Sequence, residues 1–472
     1  MCFRCREPQT AGMMQFGALF HSRISKLHQR IILCNFSKVR RRKTMKKSLL
    51  IILSLLSALG LASCKKAEES VTPEELCFDI QRIQIDMAHS AVRELYDSAP
   101  FELLKEDVMA GNADRLECIF RIQKILSGYK CAHLNLQPND SNVLYSKILP
   151  FYFYCFGNDY HIYWTIPKYQ KYLGWKLVKI NGSPVTEARE KLCNYAPFPY
   201  ETVSGEKYVF DNAQSYTNYK AADLVQKNGK INITLESPDG KIKTITCNVI
   251  KPSKNTRWVK VSPEKENVLI MHNNTRKNYA ITTSPEKQTI YVQYNNCRED
   301  ENYICQKWFA DILSEMNTGK YNNIVFDVRY NPGGYSSMQY MINNELWRNK
   351  SEFDKFNIAL VTSGRTYSCA TWFINDFLRN YPEVKIFGEE TGQAVFNYTN
   401  VPKINKLKKL NCNFSFPKQL DEVPELYKRA AEVTHSDVHR GTLPDVEVYE
   451  KFEDFMKGED TIYNAIFDYF NK

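Results

Sequence analysis

The chain has 472 residues, of which 43% are hydrophobic and 25% are charged. This length predicts two or three domains, and the composition excludes a disordered, collagen-like or multi-pass membrane protein. The formal net charge of +10 arises in residues 1–64, which carry 12 Lys and Arg but one acid, and this leaves 51 basic and 52 acidic residues from Lys65 onward. Such a balance excludes a general nucleic-acid-binding surface.

The leader segment has the pattern of an export signal. From Met45 it reads MKKSLLIILSLLSALGLASC, in which two lysines precede an apolar run that is shorter than the ~20 residues of a membrane span. The ending LASC resembles the lipobox of bacterial lipoproteins, which implies that Cys64 is the lipidated first residue of the mature protein. An ordinary secretory signal is the alternative. Residues 1–44 precede a complete signal, so we interpret them as a misassigned upstream start, with a genuine cytoplasmic extension as the alternative.

The remaining cysteines do not define a site. Ten follow Cys64, and an exported protein can form disulfides. Their spacing is irregular and includes no CxxC pair, so the pairing cannot be deduced and a zinc or thioredoxin-type site is not indicated. The chain also has no phosphate-binding loop, dinucleotide fingerprint or HExxH motif, and we expect no metal or cofactor.

The segment 65–146 is predicted to be mainly helical. The stretch TPEELCFDIQRIQIDMAHSAVRELY opens with Thr-Pro and two acids, which is typical of a helix start. The stretch PFELLKEDVMAGNADRLECIFRIQKILSGY continues the helical pattern. YKCAHLNLQP then alternates like a strand and contains His133.

The segment 147–255 is predicted to be a β-rich module. Strand patterns occur in LPFYFYCFGNDYHIYWTI, LGWKLVKINGSPV, KINITLES and IKTITCNVI. Asn181-Gly182 and the stretch PDGK are turn signals between them.

The segment 256–472 alternates strands and helices, which predicts an α/β core. Buried strands are indicated by QTIYVQYN, YNNIVFDVRYNPGG, FNIALVTSG and VKIFGEETG. The helices between them are indicated by ENYICQKWFADILSEMNTG and SCATWFINDFLRNYP.

Four motifs of this core occur in a characteristic order: IVFDVRYNPGG, TYSCAT around Ser368, IFGEETG, and GTLPDVEVY. Together they resemble the carboxy-terminal processing, or tail-specific, peptidases and their tricorn-core relatives. LGWKLVKINGSPVTEAREKL is similar to part of the PDZ domain that these peptidases carry. The resemblance implies an α+β multidomain fold with an N-terminal helical layer, a PDZ-like module and a crotonase-like (ββα) serine-peptidase core.

Ser368 is the candidate nucleophile. It follows a buried strand and begins a helix, where backbone N–H groups favour developing negative charge. The N–H groups of Cys369, Gly333 and Gly334 are candidate oxyanion donors, because glycine lets the backbone approach a substrate closely. A plain helix N-cap is the alternative role for Ser368.

His133 is the candidate general base. The processing branch has a lysine in a turn that resembles GExTxGKG, whereas this chain reads GEETGQAVF and has no lysine there. The tricorn branch takes a histidine from the N-terminal part, in a stretch like DGHT, and GYKCAHLNL places His133 in that position. Cys131, Ala132 and Leu134 depart from the pattern. His439 is the alternative base.

The acid partner of the histidine is less well defined. In the tricorn branch a glutamate lies shortly before the closing Gly-x-x-Pro-Asp, and the matching position here is Val438. The adjacent Asp437 is our candidate, because a carboxylate there would fix the imidazole tautomer. Glu432 and Glu389 are alternatives, as is a Ser–His pair without an acid.

Other charged residues of the motifs are predicted to be structural. Asp327 and Arg329 lie in a buried strand, where a hydrogen-bonded pair serves as scaffold. Asp445 is expected to stabilise the turn before the last strand.

The sequence therefore predicts an exported serine endopeptidase that cleaves peptides or unfolded proteins. It would be lipid-anchored through Cys64 to a bacterial membrane, at the outer membrane or cell surface, without a nucleic-acid partner. A catalytically inactive peptide-binding lipoprotein on the same fold is the alternative, because the motifs around His133 and Val438 depart from the family pattern. A carbohydrate-processing or carbohydrate-binding lipoprotein is a third hypothesis, suggested only by the abundant aromatic residues, 29 Tyr and 26 Phe.

Overall fold

The computed structural model describes residues 71–212, 214–263, 274–399, 403–422 and 440–472. These residues belong to one compact unit, Val71–Lys472. The leader with Cys64 lies outside the described residues. The same holds for Asp437, Val438, Glu432 and His439.

The N-terminal part is a helical layer, as the sequence predicts. Its first helix begins with a proline after a capping box, in which Thr72 and Glu75 satisfy each other's backbone N–H groups. The three main helices of this layer are Pro73–Ala88, Ala99–Met109 and Arg115–Ser127, with a short 3-10 turn at Arg93–Leu95.

A three-stranded antiparallel sheet packs against this helical layer. It pairs a strand that follows His133 with a hairpin from far along the chain, in the order Asn135–Pro138, Cys412–Phe416, Lys403–Leu407. Leu76, Ile80 and Ile83 of the first helix pack with Leu136 and Phe414 of the sheet in one apolar cluster. Burial of these side chains stabilises the contact between the two distant parts of the chain.

His133 lies in the turn before its strand rather than within it, since the strand begins at Asn135. The Asn135 side chain donates to the carbonyl of Ala132 at 2.7 Å, and the N–H of Leu134 donates to the carbonyl of Cys131 at 3.0 Å. These bonds satisfy backbone groups locally, which explains why the alternation in the sequence overestimates the length of the strand.

The middle of the chain forms a seven-stranded antiparallel sheet within the described residues. Asn181 and Gly182 both have positive φ (48° and 88°), as the primed hairpin turn predicted from the Asn-Gly pair requires. The strands are Phe151–Phe156, Asp159–Thr165, Lys176–Ile180, Ser183–Pro184, Ile231–Glu236, Ile242–Cys247 and Val259–Lys260. The helices of this part are Asn142–Tyr145, Pro167–Tyr172 (3-10), Val185–Cys193, Val203–Glu206, Val209–Asn212 and Tyr216–Ala221.

Residues 201–211, which we call the linking segment, pack both against this sheet, through Phe210, and against the C-terminal core. Lys207 forms a buried ion pair with Glu389 at 2.9 Å, and the hydroxyl of Tyr208 donates to the same carboxylate at 3.0 Å. Asp211 at the other end pairs with Arg365 at 2.7 Å. The linking segment therefore fixes the β-rich module to the core through one buried and one partly buried ion pair.

The C-terminal core is a six-stranded sheet in the described residues, and the α/β architecture predicted from the alternating pattern is confirmed. In sheet order the strands are Val446–Glu447, Lys385–Gly388, Asn357–Thr362, Asn323–Asp327, Thr289–Tyr294 and Tyr279–Ser284. Neighbouring strands are parallel except for the last pair.

Helices cover both faces of this sheet. Cys305–Met316, Ser336–Arg348 and Cys369–Asn380 pack on one face and Thr461–Phe470 on the other. The remaining elements are Lys350–Phe353, Phe452–Lys457, a 3-10 turn at Pro285–Lys287, and a small sheet of Phe396–Thr399 with Gln419–Glu422.

Arg329, two residues after the strand Asn323–Asp327, is the centre of a buried network of charged side chains. Its guanidinium contacts Asp327 at 2.8 Å, Glu450 at 3.1 Å and Asp460 at 2.9 Å. This geometry agrees with the scaffold role predicted from the motif. Asp445 accepts a hydrogen bond from the N–H of Ile386 at 2.8 Å, as expected of a residue that fixes a turn.

Within the described ranges, none of the helices combines the length and the apolar character needed to span a membrane. The same residues contain no group of His, Cys, Asp and Glu arranged to hold a metal ion. Eight of the ten cysteines in this part of the chain are buried, and burial raises the pKa of Cys118, Cys155 and Cys412 to about 12.

Candidate active site

Ser368 lies at a strained backbone position between a buried strand and a helix. Its φ of 53° and ψ of −126° form a combination that residues other than glycine rarely adopt. The residue occupies the N-cap position of the helix Cys369–Asn380, yet its side chain makes no capping hydrogen bond. The contact that would explain Ser368 as a plain cap is thus not made, whereas strain of this kind is concentrated at functional sites.

Hydrogen bonds join the loop that carries Ser368 to the loop that follows the neighbouring strand, Asn323–Asp327. The hydroxyl of Ser363 donates to the carbonyl of Arg329 at 2.6 Å, and that of Thr366 donates to the carbonyl of Val328 at 2.9 Å. The N–H of Tyr367 donates to the carbonyl of Asn331 at 2.9 Å. Because both loops follow the carboxyl ends of adjacent parallel strands, they meet at one edge of the sheet, where such folds place their sites.

The glycine pair lies directly against Ser368. A Cβ on Gly333 would come within 2.5 Å of the Ser368 Cβ and 2.9 Å of the Cys369 nitrogen. A Cβ on Gly334 would overlap the carbonyl of Cys297. Both residues have positive φ, so the motif requires glycine at each position for space and for backbone conformation.

The hydrogen bonds of this loop distinguish two of the three predicted oxyanion donors, Gly333 and Cys369. The N–H of Gly333 already donates to the side-chain oxygen of Asn331 at 2.9 Å. The N–H of Cys369 lies in the first turn of its helix, where backbone donors have no partner within the helix. The Cys369 thiol donates to the carbonyl of Gly334 at 3.2 Å, which ties the glycine loop to the helix start.

The His133 side chain contacts Tyr367, the residue that precedes Ser368. Its Nδ1 lies 3.4 Å from the hydroxyl oxygen of Tyr367, and the two ring centroids are 5.6 Å apart. In the described residues the contact of His133 with this loop is through Tyr367, and no hydrogen bond joins it to Ser368. His133 keeps some accessible surface, but burial of its imidazole lowers the pKa to about 4, so the ring is neutral at pH 7.

Glu201, at the start of the linking segment, is a site residue that the sequence did not reveal. One carboxylate oxygen accepts hydrogen bonds from the hydroxyl of Tyr367 and from the N–H of Ala132 at 3.0 Å. The other accepts from the N–H of Ala394 at 3.0 Å. Burial raises the pKa of Glu201 to about 7. The stretch PYETVSG carries no motif, and only the fold brings this side chain to the site.

The GEETG turn and the closing motif also meet here. Glu390 accepts a hydrogen bond from the N–H of Gly441 at 2.8 Å, and the N–H of Thr442 donates to the hydroxyl of Thr391 at 2.8 Å. Glu389, an alternative acid partner from the sequence, faces Lys207 and Tyr208 of the linking segment. Gln393 accepts from the hydroxyl of Thr371, on the helix that Ser368 begins, at 2.8 Å.

Two other described histidines have local partners of their own. His161 lies 2.8 Å from the carbonyl of Gly174 through Nδ1 and stacks on Phe452 at 4.0 Å. His89 is exposed and contacts the carbonyl of Ile85 at the end of the first helix. Neither contact involves the loop of Ser368, whereas the contact of His133 does.

The comparisons with solved structures identify this architecture. The structure of mature CPAF complexed with lactacystin covers 85% of this chain, and the chain covers 98% of it, with a TM-score of 0.58 and 12% identity. A second structure of mature CPAF gives a TM-score of 0.54 at 10% identity, with 84% and 96% of the two chains covered. CPAF is a member of the tail-specific peptidase family.

The chain has the fold of the tail-specific peptidases. The resemblance inferred from the four motifs is confirmed at the level of the fold. The photosystem II D1 C-terminal processing protease is a more distant match: it covers 79% of this chain and the chain covers 93% of it, with 13% identity and a TM-score of 0.38. No family model matches the sequence, and no curated protein matches it.

Proposed function

We propose that the protein is a serine endopeptidase with Ser368 as the nucleophile and His133 as the general base. The observation that carries this proposal is the arrangement around Ser368: a strained serine at a helix start, against a glycine pair, with the His133 turn beside it. A serine hydroxyl needs a base and an oxyanion site to act as a nucleophile. The tail-specific peptidase fold supports the same reaction class.

In the proposed reaction, the Ser368 hydroxyl oxygen attacks the carbonyl carbon of a peptide bond while its proton passes to His133. The resulting imidazolium then gives that proton to the leaving amine, and an acyl-enzyme forms. Water, deprotonated by the neutral His133, hydrolyses the ester and restores the serine. A ring with a pKa of about 4 is free to accept a proton at neutral pH, but its imidazolium needs stabilisation by a nearby carboxylate.

For the oxyanion we assign the N–H groups of Gly334 and Cys369. Gly333 was a candidate as well, but its N–H is engaged by Asn331, and its contribution is the space that a missing side chain leaves beside Ser368. Removal of one oxyanion donor typically costs about 2.7–4 kcal/mol of transition-state stabilisation.

We also propose a cellular location for the protein and a way in which it binds its substrate. The lipobox-like ending at Cys64 favours a protein anchored by lipid outside the bacterial cytoplasm. The β-rich module of the seven-stranded sheet would bind an extended peptide or unfolded protein by strand addition, the mode that PDZ domains use. Asp437 stays a candidate for the acid partner.

Labelling by a fluorophosphonate probe tests the proposal. We expect wild-type protein to be labelled, Ser368→Ala to be unlabelled, and Ser337→Ala, which alters an exposed serine on a nearby helix, to label like wild type. Equal labelling of Ser368→Ala would show that another residue reacts with the probe. A folded wild-type protein that takes up no label would contradict the proposed function.

An inactive peptide-binding protein is the second candidate. One observation favours it: in the described residues no hydrogen bond joins Ser368 to His133. Catalytic hydrogen bonds are often loose in unliganded enzymes and tighten with substrate. The two functions are separated by casein digestion: cleavage that is lost in Ser368→Ala excludes the binding protein, whereas tight peptide binding without turnover supports it.

A further inference from the structure

The carboxylate of Glu201 lies where three segments of the site meet. It accepts hydrogen bonds from Ala132, which precedes His133, from Tyr367, which precedes Ser368, and from Ala394, two residues after the GEETG turn. The residue is 3% exposed. A buried carboxylate is costly unless it is hydrogen-bonded, and here each partner belongs to a segment that carries a motif of the proposed active site.

The hydrogen-bond directions constrain the tautomer of His133. The Tyr367 hydroxyl has a single proton, and the Glu201 carboxylate accepts it once the glutamate has lost its own proton, above its pKa of about 7. The tyrosine oxygen can then only accept from His133 Nδ1, 3.4 Å away, so the imidazole proton lies on Nδ1. Nε2 is left with the lone pair that a general base needs.

We infer that Glu201 and Tyr367 are positioning residues of the proposed peptidase, acting on His133 as a two-step relay. The Tyr367 hydroxyl holds the imidazole in the Nδ1–H tautomer, and the Glu201 carboxylate polarises that hydroxyl and stabilises the imidazolium formed during catalysis. The inference rests on the proposed function. It gives His133 a carboxylate from the linking segment, in addition to or instead of Asp437.

The cleanest test is Tyr367→Phe, which removes one oxygen atom and keeps the ring beside His133. Glu201 would retain its bonds from Ala132 and Ala394, so the loops stay joined. The matched control is Tyr208→Phe, which also removes a hydroxyl that donates to a buried glutamate, Glu389, but which has no contact with His133.

The measurement is the second-order rate constant of fluorophosphonate labelling, together with the final labelled fraction, which reports the amount of folded protein. We expect Tyr367→Phe to label about 10- to 100-fold more slowly and to the same final fraction, part of the ~10²- to 10⁴-fold contribution of a general base. Tyr208→Phe should label at the wild-type rate. Glu201→Gln should also be slow, and Tyr367→Phe with Glu201→Gln should be no slower than the slower single variant, because the two residues act in one relay.

A spectroscopic readout separates positioning from structural support. In protein labelled with ¹⁵N-histidine, the His133 signal, assigned by its loss in His133→Ala, should show the Nδ1–H tautomer in wild type. Tyr367→Phe should shift the ring toward the Nε2–H tautomer. A variant that only loosened the fold would lower the labelled fraction and leave the tautomer unchanged.

The outcomes of this experiment are distinct from those that test the proposed function. If wild type labels on Ser368 while Tyr367→Phe keeps the wild-type rate and tautomer, the relay is wrong and the peptidase assignment stands. Slow labelling of Asp437→Ala beside normal labelling of Tyr367→Phe would also overturn the relay. If wild type takes no label, the peptidase assignment fails, and an unchanged tautomer in Tyr367→Phe would then overturn the relay as well.

Discussion

Gly333 lies so close to Ser368 that a Cβ on the glycine would come within 2.5 Å of the serine Cβ. The two residues belong to loops after neighbouring parallel strands, and the loops are joined by the hydrogen bond from Tyr367 to Asn331. The backbone around the candidate nucleophile therefore has no room for a methyl group at Gly333.

Gly333→Ala should destabilise the protein and remove labelling of Ser368. Its φ of 92° costs an alanine about 1–2 kcal/mol, and forcing the methyl group into occupied space adds about 1–3 kcal/mol. Thermal unfolding checks this, with Gly319→Ala as the control, because Gly319 also has positive φ (67°) but has no atom within 4 Å of the added Cβ. Equal losses in the two variants would mean that the close approach has no energetic effect.

Ser368→Gly should be more stable than Ser368→Ala, although both should be unlabelled. Glycine adopts the observed φ and ψ without the strain that a side chain imposes, which is worth about 1–3 kcal/mol at such positions. Chemical unfolding of the two variants measures the difference. An alanine variant as stable as the glycine variant would show that the backbone at this position is not strained.

Glu389→Ala should destabilise the contact between the linking segment and the core by about 3–5 kcal/mol, because it leaves Lys207 buried without its partner. The exposed pair of Lys355 and Glu352 provides the control, and Glu352→Ala should have no measurable effect. Limited proteolysis and thermal unfolding both report the loss. A Glu389→Ala protein that unfolds like wild type would show that this ion pair does not hold the module to the core.

Glu201→Gln should change how stability depends on pH. Burial raises the pKa of Glu201 from 4.5 to about 7, so the folded protein binds the proton more tightly than the unfolded chain and loses stability as pH rises from about 4.5 to 7. His133 acts in the opposite sense, since its pKa is lowered to about 4 and stability is gained as pH rises from about 4 to 6.5.

Glu201→Gln removes the loss of stability that comes from the glutamate. The slope of the free energy of unfolding against pH, between about pH 4.5 and 7, should therefore be more positive in this variant than in wild type. Urea unfolding at a series of pH values from 4.5 to 7.5 measures the slopes, and His133→Gln should change the slope in the other direction. Tyr367 and Cys131 also face Glu201, but burial keeps both of them protonated in this pH range. Parallel curves for wild type and Glu201→Gln would contradict the raised pKa.

Local patterns in the sequence predicted most elements correctly. The Thr-Pro start before Glu75, the Asn181-Gly182 turn and the buried strand before Ser368 are encoded by neighbouring residues, and the structure has each of them. The strand around His133 was predicted too long, because side-chain bonds from Asn135 and to Glu201 replace strand pairing there. Asp437 lies outside the described residues and stays a prediction.

The sequence by itself determined the order of the motifs, the helix and strand periods, and the two positions that only glycine can occupy beside Ser368. Such features depend on residues a few positions apart, whose sterics and hydrogen bonding are local. The tertiary structure alone decided that Glu201 and Tyr367 lie between the segments of His133 and Ser368, and that a hairpin near Phe414 pairs with the strand after His133. Those contacts join residues far apart in the chain, and they form because several separate apolar faces are buried together, which no local pattern specifies.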